Sequence, residues 1–523
     1  MFEKASGTYY TPERTVQFMC DYIAKYMITP ESILEPSAGD GRFISALQRR
    51  NYGESFTAVE YDSGKIEELK KRTDSRLTCV IHEDFLQAIK NFKNVYDLVI
   101  GNPPYINIKS MDKSFLKEAR ALCNYYALST GLIKNSWVAF ILGSMKILSK
   151  DGCIFFVLPM EFLQVKYAQE LRKFLENNFD TIHILTFKEK MFPEIEQNTC
   201  LVYLANKDRK SPYICYKQYE NLSSRDTVYE SQIRRNKPLE KWTNAVLSDA
   251  DIDLLKSLTE RYKPVSEFAS SRPGIVTGAN RIFILNRSEV DKLRCGRFVK
   301  PIISKAAMVR KSIKIDYDLV HRLSDAGEKL FFLDLNGISE NDMPWELIQY
   351  LKKSGSIRRN NIEIRNSYKC SRRNPWYAVP ITRSGAAVFF KRYDSIPRIS
   401  IKPEEIFTTD IAYNLFFKEE INPASFVFSF YNSLTLALCE YSGRYYAGGV
   451  LELIPGEFKQ LSIPYSYIRS EDVQELEGMF QNASSIENIL NFVDKRTLGD
   501  NISQDDILQL RAIREKLISR RKL

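Results

Sequence analysis

The first third of the chain alternates short apolar runs with stretches of helical spacing. Ile33-Leu34, Phe56-Thr57-Ala58-Val59, Thr78-Cys79-Val80-Ile81 and Leu98-Val99-Ile100 each stand between polar or glycine-containing turns, with the length and composition of buried strands. Helical spacing resumes at Trp137-Val138-Ala139-Phe140-Ile141-Leu142 and leads into the turn Asp151-Gly152. Further apolar runs follow at closer intervals, at 153–159, 181–187 and 199–204. Alternation with helices up to about residue 150, then strands closer together, predicts an α/β fold: a doubly wound, mainly parallel sheet with an antiparallel strand at one edge. From 208 to 245 the pattern weakens and turns polar, which predicts a bridge between domains. Residues 246–470 mix short apolar runs, aromatics and proline turns, the pattern of a second, mixed α+β domain. Helical spacing then dominates 471–523, predicting one or two closing helices.

The run ending at Gly101 is followed by Asn102-Pro103-Pro104-Tyr105. Neither proline can donate to a sheet ladder, so the strand stops there and the backbone continues stiff and extended. In an open parallel sheet that edge is where ligands bind. Asn102 then offers an amide oxygen, Pro103 a carbonyl and Tyr105 an aromatic face, a set suited to a planar group bearing an NH2. Upstream, residues 32–43 read as strand, glycine turn and helix start, with Gly39 and Gly41 letting backbone approach a ligand closely. The spacing is neither Gly-x-Gly-x-x-Gly nor a P-loop, so a cofactor with an amino acid end and no phosphates fits better than a phosphate cradle. Glu60 follows at the next strand end, about 20 residues on, where a ribose-binding carboxylate is expected. One strand later, Asp84 is placed to accept from an adenine amino group while Phe85 packs on its ring.

In this order, the motifs resemble the catalytic domain of DNA adenine-N6 methyltransferases of restriction–modification systems, in the subgroup whose target-recognition region follows the catalytic domain. The resemblance covers residues 1–207, and Gly7-Thr8-Tyr9-Tyr10-Thr11-Pro12-Glu13 is similar to the family's N-terminal cofactor motif. It implies S-adenosylmethionine as methyl donor, held by Thr11, Pro12, Glu35, Pro36, Ala38, Gly39, Glu60, Asp84, Phe85 and Asn102. It also implies a catalytic set of Asn102, Pro103, Pro104 and Tyr105. A flipped-out adenine would stack on Tyr105 and on Phe192, the latter within Lys190-Met191-Phe192-Pro193-Glu194.

The chemistry follows from the residues. An exocyclic amine is a poor nucleophile because its lone pair is delocalised into the ring. Hydrogen bonds from the amine to the Asn102 side-chain oxygen and the Pro103 carbonyl favour a pyramidal nitrogen and stabilise the positive charge that develops on it. The remaining requirement is in-line placement. C5-cytosine methylation would need an activated cysteine nucleophile, and none of the nine cysteines stands in a Pro-Cys context near a strand end. The Asn102 chemistry leaves other acceptors open: the N4 amine of cytosine, an amino group of ribosomal RNA, or the side-chain amide of a protein glutamine. Intact Asn102, Tyr105 and Glu60 argue against a recognition subunit without catalysis.

At 523 residues the chain is long enough for two or more domains. No apolar run reaches the ~18 residues of a membrane span, and the first residues lack a signal peptide's apolar core. The cysteines show no close pairs, as expected of buried free thiols in a reducing cytoplasm. His82, His183 and His321 are far apart, so no metal is expected. The net charge of +10 is concentrated: residues 351–400 hold twelve Lys and Arg against Glu363 and Asp394 alone, an excess equal to that of the whole chain. With Tyr368, Trp376, Tyr377, Phe389, Phe390 and Tyr393 interleaved, this stretch reads as a phosphate-tracking surface. Arg358, Arg359, Arg372, Arg373, Lys391 and Arg392 are its expected DNA contacts. Residues 274–280 and 448–456 also look like pieces of the family's recognition regions, making 246–470 the expected target-recognition domain. The partners implied are double-stranded DNA and a separately encoded restriction endonuclease acting on the same site, with no membrane.

Overall fold

In the computed structural model, residues 10–26, 29–92, 95–192, 198–206, 213–234, 241–359, 361–445 and 449–522 are described. Gly7, Thr8 and Tyr9 of the N-terminal motif, Pro193 and Glu194, Gly448, and residues 208–212 and 235–240 of the expected bridge lie outside them. The chain forms two units, one comprising 1–252, 446–449 and 519–523, the other 253–445 and 450–518.

The first unit opens with α1 (Glu13–Tyr26), whose Val16, Met19, Cys20 and Ile23 recur at helical spacing and are buried. Strands and helices then alternate: β1 (Ser32–Glu35), α2 (Arg42–Gln48), β2 (Ser55–Glu60), α3 (Ser63–Arg72), β3 (Thr78–His82), α4 (Phe85–Ala88) and β4 (Tyr96–Gly101). After β4 come α5 (Lys113–Tyr125), α6 (Trp137–Lys146), β5 (Leu148–Pro159) and α7 (Gln169–Asn178). β6 (Thr181–Phe187), β7 (Thr199–Ala205), β8 (Tyr213–Tyr219) and β9 (Thr227–Arg234) complete a sheet of order β3-β2-β1-β4-β5-β7-β6-β8-β9. The five strands from β3 to β5 pair in parallel. Ile33, Leu34, Leu98, Val99 and Ile100 are completely buried, as strands covered by helices on both faces require.

An antiparallel strand closes one edge, as expected: it is β9, paired with β8, while a second antiparallel strand, β7, lies inside the sheet between β5 and β6. The expected bridge needs correction, because it is largely sheet: β8 pairs in parallel with β6, and β9 closes on β8. Lys217 and Glu230 make this stretch look polar. The fold buries Lys217 along its stem, with its ammonium donating to the Tyr26 hydroxyl at 2.7 Å and facing Glu230 at 3.5 Å. The first unit therefore runs to 252 rather than 207.

The second unit holds a four-stranded antiparallel sheet in the order Ala269–Pro273, Ala412–Phe417, Ala387–Phe390, Arg398–Ile401. A second sheet of short strands (Ile284–Leu285, Phe331–Leu333, Val299–Ile303, Phe407–Thr408) packs its own helices, giving the mixed α+β character expected. The C-terminal segment forms three helices rather than the one or two expected, Ser470–Gln481, Ile486–Thr497 and Gln504–Ser519, and nearly all of it belongs to this unit. Eight cysteines are buried free thiols; Cys79 is exposed. Among the described residues no helix is long and apolar enough to cross a membrane.

Gly41 precedes α2 at φ +76°. A Cβ there would lie 2.4 Å from Leu69 Cδ1 and 3.0 Å from Thr73 Cγ2, both on or next to α3. Gly41→Ala should therefore destabilise the first unit by about 1–3 kcal/mol, read as a lower urea midpoint at unchanged m-value. An unshifted midpoint would contradict this packing.

Candidate active site

β1 has β2 on one side and β4 on the other, so the strand order reverses between β1 and β4, where ligands bind in doubly wound sheets. The loops leaving β1, β2, β3 and β4 converge there on a cavity of 1230 Å³. Its walls include Thr11, Glu35, Pro36, Ala38, Gly39, Glu60, Asp84, Phe85, Asn102, Pro103, Pro104, Tyr105 and Phe192. Of the predicted cofactor, catalytic and stacking residues, Pro12 is the one outside the lining; its carbonyl accepts the Thr15 and Val16 N–H groups at the start of α1. Phe192 is 6 % exposed and belongs to the core as well as to the cavity wall.

The glycine turn is tied to the end of β2. Gly39 N–H donates to Glu60 Oε2 at 2.6 Å and Asp62 N–H to Glu60 Oε1 at 2.8 Å, so both carboxylate oxygens are aligned by backbone and each keeps a lone pair for a ligand hydroxyl. Gly39 sits at φ +56°, and a Cβ on it would meet only Tyr10 Cε1, at 3.9 Å. Tyr10 lines the cavity with Arg42 and Lys65 each 5.1 Å from its ring centre. Arg42 also donates to Asp40 at 2.8 and 2.6 Å and to the Thr11 carbonyl, joining the N-terminal segment to the glycine turn. Burial alone would raise the Asp40 carboxyl, but the Arg42 bonds and the Arg42 and Arg72 charges hold it below its usual value. Tyr10, Asp40 and Arg42 were not among the predicted ligands, although all three stand in or beside the quoted motifs.

Glu35 is 2 % exposed, and its Oε2 has no hydrogen-bond partner among the described residues. Burial holds its carboxyl well above the usual carboxylate range, against one N–H bond from Ile44. An orphaned buried oxygen beside a cavity awaits a donor or a cation from a ligand. Asp84 caps α4, accepting the Leu86 N–H at 2.9 Å through Oδ1, and burial raises its carboxyl as well. Phe85 stacks on Phe140, centroids 5.1 Å apart, and both line the cavity beside it.

At the end of β4 the Tyr105 hydroxyl lies 3.0 Å from Asn102 Oδ1 and 3.1 Å from the Val157 carbonyl. Burial keeps that phenol well above its ordinary pKa, so it stays a donor. Asn102 Oδ1 thus has a hydrogen-bond partner within the motif that fixes its orientation. The Pro103 carbonyl carries no hydrogen bond among the described residues. The Pro104 carbonyl, by contrast, accepts the Ser136 hydroxyl, and Ser136 Oγ accepts the Ile106 N–H at 2.9 Å. No local sequence signal marks Ser136; its role appears only once α6 reaches the loop.

In the second unit the predicted DNA contacts divide. Arg358 and Arg359 are exposed on a short strand paired with Ile362–Glu363, and Arg372 lies over the exposed Tyr368 ring at 3.9 Å. Arg373 is committed internally, donating to the Thr277 and Val276 carbonyls at 2.8 and 2.9 Å. Arg392 is paired with Glu452 at 3.0 Å, and Lys391 is half-buried. Tyr377, Phe389, Phe390 and Tyr393 are core residues and Trp376 is half-buried, so Tyr368 alone of the interleaved aromatics is exposed.

Comparison with known proteins matches residues 27–192 to the Eco57I restriction-modification methylase family and residues 239–498 to the C-terminal domain of type II methyltransferase M.Eco57I. The chain is 24 % identical over 363 residues to the type II methyltransferase M.AccI of Acinetobacter calcoaceticus, covering 67 % of this chain and 64 % of that protein. It is 29 % identical over 228 residues to the type II methyltransferase M.HincII of Haemophilus influenzae, covering 39 % and 40 %. The match thus spans less than two thirds of the length of either relative. Among solved structures, that of the type IIL restriction-modification enzyme MmeI in complex with DNA shares the fold, with a TM-score of 0.60 at 11 % identity over 98 % of this chain and 75 % of that one.

The raised Glu35 carboxyl has a consequence for stability. Folding favours its protonated form, so the ligand-free protein loses stability as pH rises above the ordinary value of about 4.3, by up to about 1.4 kcal/mol per pH unit until the raised value is passed. Glu35→Gln should remove that loss. The Tm difference between variant and wild type is expected to grow from pH 5 to pH 7, and a constant difference would contradict it.

Proposed function

The chain belongs to the type II restriction–modification methyltransferase family, and from that premise we propose that it transfers a methyl group from S-adenosylmethionine to the N6 amine of an adenine flipped out of double-stranded DNA. The observation that carries the reading is a single cavity lined both by the acceptors of Asn102 and Pro103 and by Glu35, Gly39, Glu60 and Asp84. These residues fit the cofactor: the orphaned Glu35 oxygen suits the methionine ammonium, the bare Gly39 backbone admits the methionine end, and Glu60 and Asp84 suit ribose and adenine. When bound, it supplies a methyl group already activated as an electrophile on sulfonium.

The chain's residues do the rest. Asn102 Oδ1 and the Pro103 carbonyl accept the two amine hydrogens and turn the nitrogen lone pair toward the methyl. The Tyr105 hydroxyl, anchored on Val157, holds Asn102 in orientation while its ring offers a face to the extruded base. Phe192 supplies the other face. Extrusion costs a few kcal/mol, partly offset by stacking worth about 1–3 kcal/mol per base. The exposed arginines Arg358, Arg359 and Arg372 of the second unit contact phosphates. The reaction marks host DNA in the cytoplasm against a separately encoded restriction endonuclease that reads the same site.

The decisive assay incubates the protein with labelled S-adenosylmethionine and unmethylated bacterial DNA, then identifies the labelled nucleoside. Label in N6-methyladenine is expected. Label in N4-methylcytosine would change the base, and label in RNA or protein alone would overturn the DNA reading. Asn102→Ala should lower kcat by about 100-fold or more with DNA affinity retained, whereas normal turnover would remove the amine-acceptor role. Tyr105→Ala should lower kcat/KM by at least roughly 5- to 150-fold, the equivalent of one lost stacking contact to which the loss of the Asn102 anchor adds, with cofactor affinity unchanged. Equal loss of both would contradict the role given to the ring.

A further inference from the structure

Just past the catalytic loop, α5 lays one edge on the cavity and turns another to solvent. Ser114 and Phe115 line the cavity, with Ser110, Met111 and Asp112 leading into the helix. Lys113, Lys117 and Arg120 stand exposed on another face at positions i, i+4 and i+7, with Lys109 exposed just before the helix. The same three cations line a shallow groove of 360 Å³ with Leu116, Ala121 and Asn124.

Several observations distinguish this edge from an ordinary solvated face. None of the four cations has an ion-pair partner among the described residues. The nearby acids are engaged elsewhere: Glu118 is paired with Lys90 at 2.8 Å, and Asp112 accepts the Ser114 N–H at 2.7 Å as the helix cap. Like charges three and four residues apart destabilise a helix, and Lys113 adds a cation in the first turn, where the helix dipole is already positive. The result is a concentrated positive field on the same helix that walls the catalytic cavity.

We propose that this edge of α5 is a DNA contact within the catalytic unit, binding the phosphates that flank the extruded nucleotide; the proposal rests on the DNA reading above. Lys113 and Arg120 are separated by roughly 10 Å along the helix axis, over which one DNA strand presents about three phosphates. Contacts of this kind carry no sequence information but fix the backbone on either side of the base that leaves the stack.

The test compares wild-type protein, the triple variant Lys113→Gln/Lys117→Gln/Arg120→Gln and a control, Lys70→Gln/Lys71→Gln, which removes two exposed cations from α3. Equilibrium binding to a short duplex is measured between about 50 and 200 mM salt, alongside affinity for S-adenosylmethionine, which reports that the site is folded. The triple variant should bind DNA at least tenfold more weakly at low salt, and the slope of log K against log salt should become shallower by about 2–3, close to 0.9 for each lost phosphate contact. The control should leave the slope unchanged. A triple variant with the wild-type slope, or a control that shifts it as much, overturns the proposal while DNA methylation by the wild type stands. A wild type that neither binds nor methylates any duplex overturns both.

Discussion

Proline has no N–H, and two in succession prevent β4 from extending its ladder past Gly101. Because β4 lies beside β1 where the strand order reverses, that stop falls in the crevice of the sheet. The loop it creates is then fastened from several directions. Ser37 donates to the Asn102 carbonyl at 3.2 Å, Ser136 grips Pro104 and Ile106, and Tyr105 reaches back to Val157. The Pro103 carbonyl, without a hydrogen bond among the described residues, and the Asn102 amide, held by Tyr105, are thereby fixed in orientation. In a site where oriented dipoles stabilise a developing charge, this prior alignment removes the cost of reorganising them during reaction.

The end of β1 lies directly beside this loop, with Glu35 Cγ and Pro36 Cδ each 3.6 Å from where a Cβ on Gly101 would stand. Glu35 is buried with Oε2 unpartnered among the described residues, and Gly39 and Gly41 hold left-handed backbone that other residues rarely adopt. By contrast, Asp40, equally buried, is fully engaged by Arg42 and Arg72. Two acids five residues apart therefore have different tasks. Asp40 fastens the glycine turn, whereas Glu35 keeps one oxygen without a partner among the described residues at the cavity wall.

The basic stretch of the second unit shows how far a linear pattern can mislead. Ala387–Phe390 is a central strand with every side chain buried, so Phe389 and Phe390 serve the core and not a nucleic-acid surface. Arg373 satisfies two backbone carbonyls of the 276–277 turn, which are 97 and 96 residues away in the chain. The exposed arginines that remain are fewer than the charge count implied, and a second cationic edge stands on α5.

The sequence by itself determined what depends on short-range chemistry. A proline pair ends a strand, glycines permit left-handed turns, and an acid at a strand end lies about 20 residues past the glycine turn. The Gly39–Glu60 bond, spanning 21 residues, realises that last spacing. Strand existence in the first unit was legible for the same reason, since buried parallel strands are continuous apolar runs. Only the tertiary structure decided that Lys217 could lie in a strand, because its ammonium finds Tyr26 from 191 residues away. It alone tied Ser136 to the Asn102–Tyr105 loop, Arg373 to an internal turn and β8 and β9 to the sheet of the first unit. A polar side chain reads the same whether it meets water, a ligand or a buried carbonyl, and its role is set by which partner the fold brings within hydrogen-bonding reach.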